Sequence, residues 1–267
     1  MKYTRNKSNV VAILMRMLPF SLVAVMVLVL AVSVPAVWAG GREVVEFDEA
    51  EIFFEFNSTD NDLGIQIFFD AEGWKRVEVQ DPEGEEIFEV ENDEGLKKIG
   101  STEVFTESAE PELDDENLED SIAEFQAKFP KGTYTFKGKT VNGKKLVGDA
   151  DLAYKLPKAP EITGPAGLPD GNPYVIEWTQ PGGGPEIIGY EVVAELVIGE
   201  DELTLVNTGM FLAGATEFTV SPEFVDLIED AEDTLELVEF KVEVIARAEN
   251  LNKTITESVI FSIEDEE

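Results

Sequence analysis

Short runs in which apolar and charged residues alternate with a period of two dominate both halves of this 267-residue chain. Ala50–Phe56 reads AEIFFEF, Trp74–Gln80 reads WKRVEVQ and Phe240–Asn250 reads FKVEVIARAEN. Successive side chains of a strand point to opposite faces, so this spacing predicts strands with one buried and one solvated face. We therefore expect an all-β fold built from two tandem β-sandwiches, with one or two short helices.

Further runs of the same kind occur along the chain. They are Gly64–Phe69, Glu86–Glu91, Thr102–Glu107, Thr133–Val141, Lys144–Tyr154, Tyr174–Trp178, Gly189–Leu196, Thr216–Ser221 and Thr254–Ile263. Asn142-Gly143 separates two of them and predicts a tight hairpin turn in which both residues have positive φ. Two segments show helical spacing instead, one within residues 114–129 and one within Pro222–Thr234.

The N-terminus has the pattern of an export signal, and we predict a signal peptide over residues 1–39. Four basic residues precede the almost wholly apolar segment Leu18–Ala36, and Val37-Trp38-Ala39 offers small residues for cleavage. An uncleaved anchor over Leu18–Ala39 is the alternative, because 22 residues can span a bilayer. Either way, we expect a secreted, periplasmic or extracellular protein, tethered to the membrane if the signal is not cleaved.

Leu156–Pro160 is a Pro-bearing link between two patterned regions, and it predicts a boundary between domains 42–156 and 159–267. The run FPKGTYTFKGKTVNGKKLVGDADL resembles the closing hairpin of a bacterial immunoglobulin-like sandwich. This resemblance implies an immunoglobulin-like fold for residues 42–156.

The second region, Ala159–Ile263, resembles a fibronectin type III domain. Trp178 matches the tryptophan of the family's strand B, and Gly189-Tyr190-Glu191-Val192 matches its strand C motif. The resemblance implies a non-enzymatic module that acts as a spacer or presents loops and edge strands to partners. The chain departs from the family where the strand F tyrosine is replaced by Val242, or by Phe240 in a shifted register.

The absence of histidine and cysteine excludes several kinds of chemistry. A Ser-His-Asp triad, a cysteine nucleophile, a zinc site with His or Cys ligands and a disulfide are all ruled out. The 56 acidic and 20 basic residues give a net charge of −36, which loss of the signal would lower to −40. Such a charge argues against nucleic acid and against anionic membrane surfaces as partners. We therefore expect that the protein is not an enzyme.

The turn Asp60-Asn61-Asp62-Leu63-Gly64 is the candidate metal site. Alternate side-chain oxygens on a tight turn suit Ca²⁺, and Asn57 and Asp70 could add ligands if the flanking strands pair. The alternative is a plain turn without a cofactor, since Asp, Asn and Gly are ordinary turn residues. Asn57 and Asn252 also begin glycosylation sequons, which matter only in a eukaryotic secretory pathway.

Basic residues are concentrated in one segment. Residues 128–158 contain eight bases and two acids, whereas 41–127 contain five bases and 29 acids, and 159–267 contain three bases and 25 acids. We predict that Lys137, Lys139, Lys144 and Lys145 bind an acidic face of a partner or of another copy. The alternative is that they neutralise neighbouring strands of their own domain.

Trp74, next to a turn, is the candidate platform for a sugar or other partner, with a core position as the alternative. The sequence as a whole predicts an exported, non-enzymatic binding or structural module that acts through protein–protein interaction. An accessory carbohydrate-binding protein is the second hypothesis.

Overall fold

Sixteen β-strands and three α-helices lie in the part of the chain that the computed structural model describes. This part consists of residues 43–111, 113–165, 167, 173–198, 201–233 and 238–263. The predicted signal peptide lies outside these residues. Within them, no helix has the length and apolar character needed to cross a bilayer. The predicted all-β fold class is confirmed.

The first half contains seven strands and two helices. The strands are β1 (Val44–Glu46), β2 (Glu49–Asn57), β3 (Asp62–Gln80), β4 (Glu86–Glu91), β5 (Ser101–Glu107), β6 (Gly132–Thr140) and β7 (Lys145–Leu152). The helices are α1 (Leu96–Ile99) and α2 (Leu118–Gln126). Helix α2 is the helix predicted within residues 114–129, whereas the single turn of α1 was not predicted.

Strand β3 is one 19-residue strand where the sequence predicts two. Its first half pairs with β2 on one side and β5 on the other, and its second half pairs with β6 and β4. Shifts of register between Asp70 and Trp74, and between Trp74 and Arg76, mark the change of partners. The strand therefore belongs to both layers of the first sandwich.

The first core lies between these two layers and is rich in aromatic rings. Phe69 contacts Trp74 and Phe136 with ring centroids 5.7 and 6.2 Å apart, in edge-to-face geometry. Phe54 packs against Phe125 of α2 at 6.2 Å. These contacts explain the phenylalanines at strand spacing, because alternate positions of each strand face the interior.

The second half contains nine strands and one helix. The strands are β8 (Glu161–Gly164), β9 (Val175–Thr179), β10 (Ile187–Ile198), β11 (Asp201–Asn207), β12 (Phe211–Leu212), β13 (Glu217–Thr219), β14 (Val238–Ala248), β15 (Lys253–Glu257) and β16 (Phe261–Ile263). The helix α3 (Pro222–Asp233) occupies the enlarged loop before β14, where a short helix is predicted.

The second sandwich packs the three-stranded sheet β13-β9-β8 against strands of the larger sheet, β15-β14-β10-β11. Its core contains Trp178 and Tyr190, whose ring centroids are 5.5 Å apart, and Phe240, which is fully buried. Phe224 of α3 contacts Phe240 at 5.9 Å. The enlarged loop therefore contributes a helix to the core instead of extending into solvent.

A single sheet runs through both sandwiches, because β15 pairs in parallel with β2. Lys253 is opposite Glu55 in this pairing, and Ile255 is opposite Asn57. On the outer face, Arg247 lies 2.7 Å from Glu51, and the cations of Arg247 and Lys253 both lie over the ring of Phe53. Although it points outward, Phe53 is only 3% exposed.

Asn252, in the turn between β14 and β15, is completely buried at this junction. Its position excludes glycosylation of the folded chain at the second sequon, since the transferase needs an exposed amide. Thr254 of the same sequon donates a hydrogen bond to the carbonyl of Pro157 at 2.9 Å. The two cores thus remain separate while polar side chains and a shared sheet connect them. The boundary near residue 157 stays a prediction.

Candidate functional site

The β6–β7 hairpin positions the predicted lysines on the outer face of the first sandwich. Its turn closes through hydrogen bonds from Gly143 N to Thr140 O (3.0 Å) and from Thr140 N to Lys144 O (3.1 Å). Gly143 has a φ of +85°, whereas Asn142 has a negative φ. The turn therefore differs from the predicted type, in which both Asn and Gly adopt positive φ. The glycine alone provides the left-handed residue.

Three cationic side chains lie in one row across neighbouring strands. Arg76 of β3 is opposite Lys139 of β6, and Lys139 is opposite Lys145 of β7. Directly opposite residues have Cβ atoms about 4.5–5.5 Å apart, and like charges at that separation are destabilising. Lys137, the next residue on the same face of β6, is opposite Glu78. The hairpin therefore concentrates positive charge on one sheet face.

The row borders a groove of about 490 Å³. The groove is lined by six basic and two acidic side chains: Lys75, Arg76, Lys97, Lys137, Lys139, Lys145, Glu78 and Glu91. Arg76 is paired with three carboxylates. Among the described residues, Lys75, Lys139 and Lys145 have no carboxylate within ion-pair distance. With Lys137, whose side-chain partner is the uncharged Gln80, four lysines face the groove without a counter-ion among the described residues.

Local backbone features shape the groove. Lys75 is the extra residue at the shift of register between Trp74 and Arg76. Such an extra residue redirects a side chain of the strand from one face of the sheet to the other. Gly138 lies between two of the lysines, and a Cβ at this position would lie 3.0 Å from the carbonyl oxygen of Arg76. The same Cβ would lie 3.2 Å from Leu146 and from Val77 in the core, so the glycine lets the strands beneath the groove pack closely.

The other two predicted lysines are engaged within the molecule. Lys144 Nζ lies 3.2 Å from Glu43 and 3.4 Å from Glu72. Lys137 donates a hydrogen bond to Oε1 of Gln80, which is uncharged. Acids therefore neutralise Lys144, whereas Lys137 keeps its charge available to the groove. Sequence reasoning missed Lys75 and Arg76, although the WKRVEVQ run already showed two adjacent bases in a strand.

The predicted calcium turn lies where the tip of the β2–β3 hairpin meets β15. Asn57 Oδ1 accepts hydrogen bonds from the amides of Thr59 (3.0 Å) and Asp60 (3.4 Å), and Asn57 Nδ2 donates to Glu257 (2.9 Å). The amide of Glu257 in turn donates to the hydroxyl of Thr59 at 2.8 Å. This turn therefore forms part of the contact between the two halves of the chain.

The structure does not bring all four predicted calcium ligands together. Asp62 is opposite Asn57 in the strand pairing, close to Asp60. Asp70 is opposite Glu49, eight residues further along β3, which corresponds to about 26 Å. Asp70 therefore cannot share an ion with the turn. Calcium at Asp60 and Asp62 stays a prediction.

Trp74 is only 1% exposed and lies in the first core against Phe69. Its position contradicts the predicted role as a platform for a sugar or another partner, since the ring is not accessible at the surface. The physical reason is the shift of register between Trp74 and Arg76. Strict alternation would place Trp74 on the outward face with Arg76 and Glu78, but the extra residue Lys75 turns it to the buried face of Val77 and Val79.

A cluster of three carboxylates, which sequence reasoning missed, lies on the outer face near the calcium turn. One oxygen from each of Glu55, Glu107 and Glu110 lies within 4.8 Å of the others. Burial and the nearby charges of Glu107, Asp62 and Glu55 raise the pKa of Glu110 to about 7. Glu107 and Glu110 are close in sequence, but Glu55 lies 52 positions before Glu107, so spacing alone could not reveal the cluster.

A second cluster, formed by Glu78, Glu86 and Glu89, has a similar arrangement of oxygens. Arg76 Nη2 lies 3.4 Å from Glu78 and 4.0 Å from Glu86, and it also donates a hydrogen bond to Glu89. A protein cation therefore already occupies the centre of this cluster. At the first cluster, the cation within ion-pair distance among the described residues is Lys253, whose Nζ lies 3.4 Å from Glu55 Oε2.

These features define an all-β protein with two β-sandwiches, a basic groove and a carboxylate cluster. No family model and no curated protein matches the chain.

Three solved structures have low similarity to this chain. Trypsin-activated alpha-2-macroglobulin from Escherichia coli has 10% identity and a TM-score of 0.29, with 80% of this chain and 15% of that one covered. Titin domains have 14% identity and a TM-score of 0.23, with 76% and 60% covered. A bacterial ice-binding adhesin has 13% identity and a TM-score of 0.20, with 78% and 63% covered. The chain thus spans less than two thirds of each structure, and at these scores the likenesses assign no function.

Proposed function

We propose that this chain is an exported, non-enzymatic interaction module that binds an acidic protein surface through the basic groove of its first sandwich. The observation that carries the proposal is the row formed by Arg76, Lys139 and Lys145, three cations opposite one another in a chain of net charge −36. Within this row the pair of Lys139 and Lys145 lowers the stability of the unbound fold, whereas Arg76 is paired with carboxylates of its own sheet. A bound carboxylate removes that cost, because it places negative charge between the cations.

The spacing of the groove suits an acidic polypeptide. Lys137 and Lys139 are two residues apart on one face of β6, which corresponds to about 6.6 Å. An extended acidic segment presents its alternate carboxylates at the same spacing. Nucleic acid fits poorly, since its dense phosphates would meet the strongly acidic remainder of the chain. The carbohydrate hypothesis loses its candidate residue, because Trp74 is buried.

The second sandwich supports the role of a spacer. Its three-stranded sheet β13-β9-β8 faces the strands β15-β14-β10-β11, and the rings of Trp178 and Tyr190 meet between them. This arrangement is the one expected of a fibronectin type III-like domain. The shared sheet at β2 and β15 limits hinge motion between the halves, because bending there would break backbone hydrogen bonds. The export signal predicted over residues 1–39 would present this unit outside the cytoplasm.

Binding of labelled poly-L-glutamate to the purified protein tests the proposal. We expect fluorescence anisotropy to show binding that weakens as salt rises, because the contact is electrostatic. Replacing Lys139 and Lys145 by serine should weaken it at least about tenfold, since two close charge contacts are lost. Lys131→Ser with Lys155→Ser is the matched control, because both lysines are exposed and lie outside the groove. Equal loss in both double variants would contradict a specific groove.

A further inference from the structure

Three carboxylates lie directly opposite one another on the outer face of three neighbouring strands. Glu103 of β5 is opposite Asp70 of β3, and Asp70 is opposite Glu49 of β2. We call these three residues the acidic row. No other row of three opposite acids occurs in the strand pairings of the described residues. Like charges that face one another in this way destabilise a sheet, so the row is costly to the isolated chain.

The acidic row has no counter-ion in the part of the chain that the structure describes. No lysine or arginine of that part lies within ion-pair distance of its carboxylates. Glu49 and Glu103 are exposed, and Asp70 is half-buried. Burial and the charges of Glu51 and Asp70 raise the pKa of Glu49 above its ordinary value, although Arg247 offsets part of this effect. A cation placed against the row would relieve the repulsion.

The spacing of the acidic row matches that of the cations along the basic groove. Arg76, Lys139 and Lys145 also lie directly opposite one another on three neighbouring strands. Neighbouring strands are about 4.8 Å apart, so each row spans about 10 Å. Each carboxylate of one row can therefore face a cation of the other. Lys139 and Lys145 would thereby obtain the counter-ions that they lack among the described residues.

The two rows of one molecule cannot neutralise each other. Asp70 and Arg76, which belong to different rows, lie six residues apart on β3, which corresponds to about 20 Å. This separation is too large for an ion pair between the rows. The cations that fit the acidic row must therefore come from another molecule.

Both surfaces also present exposed apolar side chains. Phe105 lies on the face of β5 that carries the acidic row, is exposed, and is opposite Phe68 of β3. Beside the basic groove, helix α1 contains Lys97, which lines the groove, together with the exposed side chains of Leu96 and Ile99. Protein interfaces combine charged groups with apolar contact area, and both surfaces offer this combination.

We propose that the partner of the basic groove is a second copy of this chain, whose acidic row lies across Arg76, Lys139 and Lys145. This inference rests on the proposed function and names the acidic surface that the groove binds. The net charge of −36 opposes contact between copies, but at physiological salt such repulsion is screened beyond about 8 Å. Opposite charges in direct contact are screened much less, so the paired rows can hold two copies together.

Sedimentation velocity of the full chain at about 0.15 M NaCl tests the proposal. We expect concentration-dependent self-association, with a dissociation constant at least about tenfold higher for Glu49→Gln with Glu103→Gln, because two carboxylates of the row are lost. Glu177→Gln with Glu217→Gln is the matched control and should leave the constant unchanged. These two glutamates are also exposed and directly opposite each other, but they lie on the small sheet of the second sandwich. Circular dichroism checks that each variant is folded.

A mixture of two variants tests whether the two surfaces contact each other. Lys139→Ser with Lys145→Ser disables the basic groove and keeps the acidic row, whereas Glu49→Gln with Glu103→Gln does the reverse. We expect each double variant alone to stay monomeric at concentrations at which the unmodified chain associates. The equimolar mixture should associate, because each variant supplies the surface that the other lacks.

Three results would overturn the proposal. One is an unmodified chain that stays monomeric at concentrations up to about 1 mM. A second is equal weakening by Glu49→Gln with Glu103→Gln and by the control pair, which would mean that only net charge matters. The third is a mixture of the two variants that does not associate.

Binding of labelled polyglutamate separates this proposal from the proposed function. Glu49→Gln with Glu103→Gln leaves the groove intact and should bind polyglutamate as tightly as the unmodified chain. Normal self-association of that variant, with polyglutamate binding that still depends on Lys139 and Lys145, would overturn the second copy as the partner and leave the groove as a binding site. Loss of neither activity in Lys139→Ser with Lys145→Ser would overturn both.

Discussion

Asn252 accepts a hydrogen bond from the backbone amide of Phe54, 198 residues earlier in the chain, at 2.9 Å. Its Nδ2 donates to the carbonyls of Ala153 (2.8 Å) and Lys155 (3.1 Å). One buried carboxamide therefore connects β2, the link between the two halves and the β14–β15 turn.

Replacing Asn252 by alanine should lower the free energy of unfolding by about 3 kcal/mol. The change leaves one amide and two carbonyls without their partner, and each buried unsatisfied group costs about 1–3 kcal/mol before relaxation and water reduce the total. Urea unfolding followed by circular dichroism measures the loss. Asn142→Ala, at an exposed position of the hairpin turn, is the control and should change stability by less than about 0.5 kcal/mol. Equal effects would show that Asn252 is not a junction residue.

Local patterns in the sequence were sufficient to predict most strands, because burial on one face of a strand leaves a period-two signal. Glu86–Glu91 is found at its predicted bounds, and α3 lies inside Pro222–Thr234. The change of partners within β3 left no such signal, since residues 70–74 continue the strand while its neighbours change. The parallel pairing of β2 with β15 was equally hidden, because it depends on residues about 200 positions apart.

The candidate sites show the same limit. The lysines near residue 140 were recognisable from composition, but the row depends on Arg76 from a strand 63 positions earlier. The cluster at Glu107 requires β5 to lie beside β3. Trp74 was misplaced because the shift of register at Lys75 leaves no signal in the sequence, and counting by twos from Arg76 and Glu78 places the ring on the outward face.

Because Trp74 lies in the core, Trp74→Ala should lower the free energy of unfolding and should not remove a contact at the surface. Removing a large ring that is 1% exposed costs about 3–5 kcal/mol, because the lost burial is compounded by a cavity. Thermal unfolding should show a much lower midpoint. Phe105→Ala is the comparison, since this ring is 57% exposed and its removal should cost far less. A Trp74 variant of normal stability would contradict the core position.

Alkaline pH should destabilise the protein through its buried tyrosines. Burial raises the pKa of Tyr134 and of Tyr174 above the ordinary value near 10, and Tyr134 Oη donates a hydrogen bond to the carbonyl of Pro130 at 3.0 Å. The folded state thus holds its phenolic protons more tightly than the unfolded state. The resulting stability is present below about pH 10 and is lost as the pH rises above it.

Urea midpoints between neutral pH and about pH 11 measure this loss. Tyr134→Phe should make the alkaline decline shallower, because one proton-linked group is removed, although Tyr174 remains. The part of the phenolate absorbance that Tyr134→Phe abolishes should rise together with unfolding. A rise of that part in the fully folded protein would contradict a buried, protonated Tyr134.

Replacing two strand lysines, Lys145 and Lys241, should change the free energy of unfolding in opposite directions. Lys145→Thr should raise the free energy of unfolding by about 0.5 kcal/mol, because it removes a like charge opposite Lys139. Lys241→Thr should lower it by about 1 kcal/mol or more, since Lys241 Nζ lies 3.1–3.3 Å from three carboxylates, those of Glu195, Glu243 and Glu257. Both changes replace a strand lysine by the same residue, so the intrinsic preference of threonine for strands is common to both.

This pair of variants separates the two interpretations of the lysine-rich hairpin. If the lysines serve to neutralise neighbouring strands, Lys145→Thr should destabilise the fold as Lys241→Thr does. If the row exists to bind an anionic partner, Lys145→Thr should stabilise the unbound protein while weakening its binding to polyglutamate. Differential scanning calorimetry at low salt gives the first quantity, because screening of exposed charges is weakest there. A lower unfolding midpoint for Lys145→Thr would show that Lys145 stabilises the fold. It would then contradict the proposal that the row reduces stability in order to bind a partner.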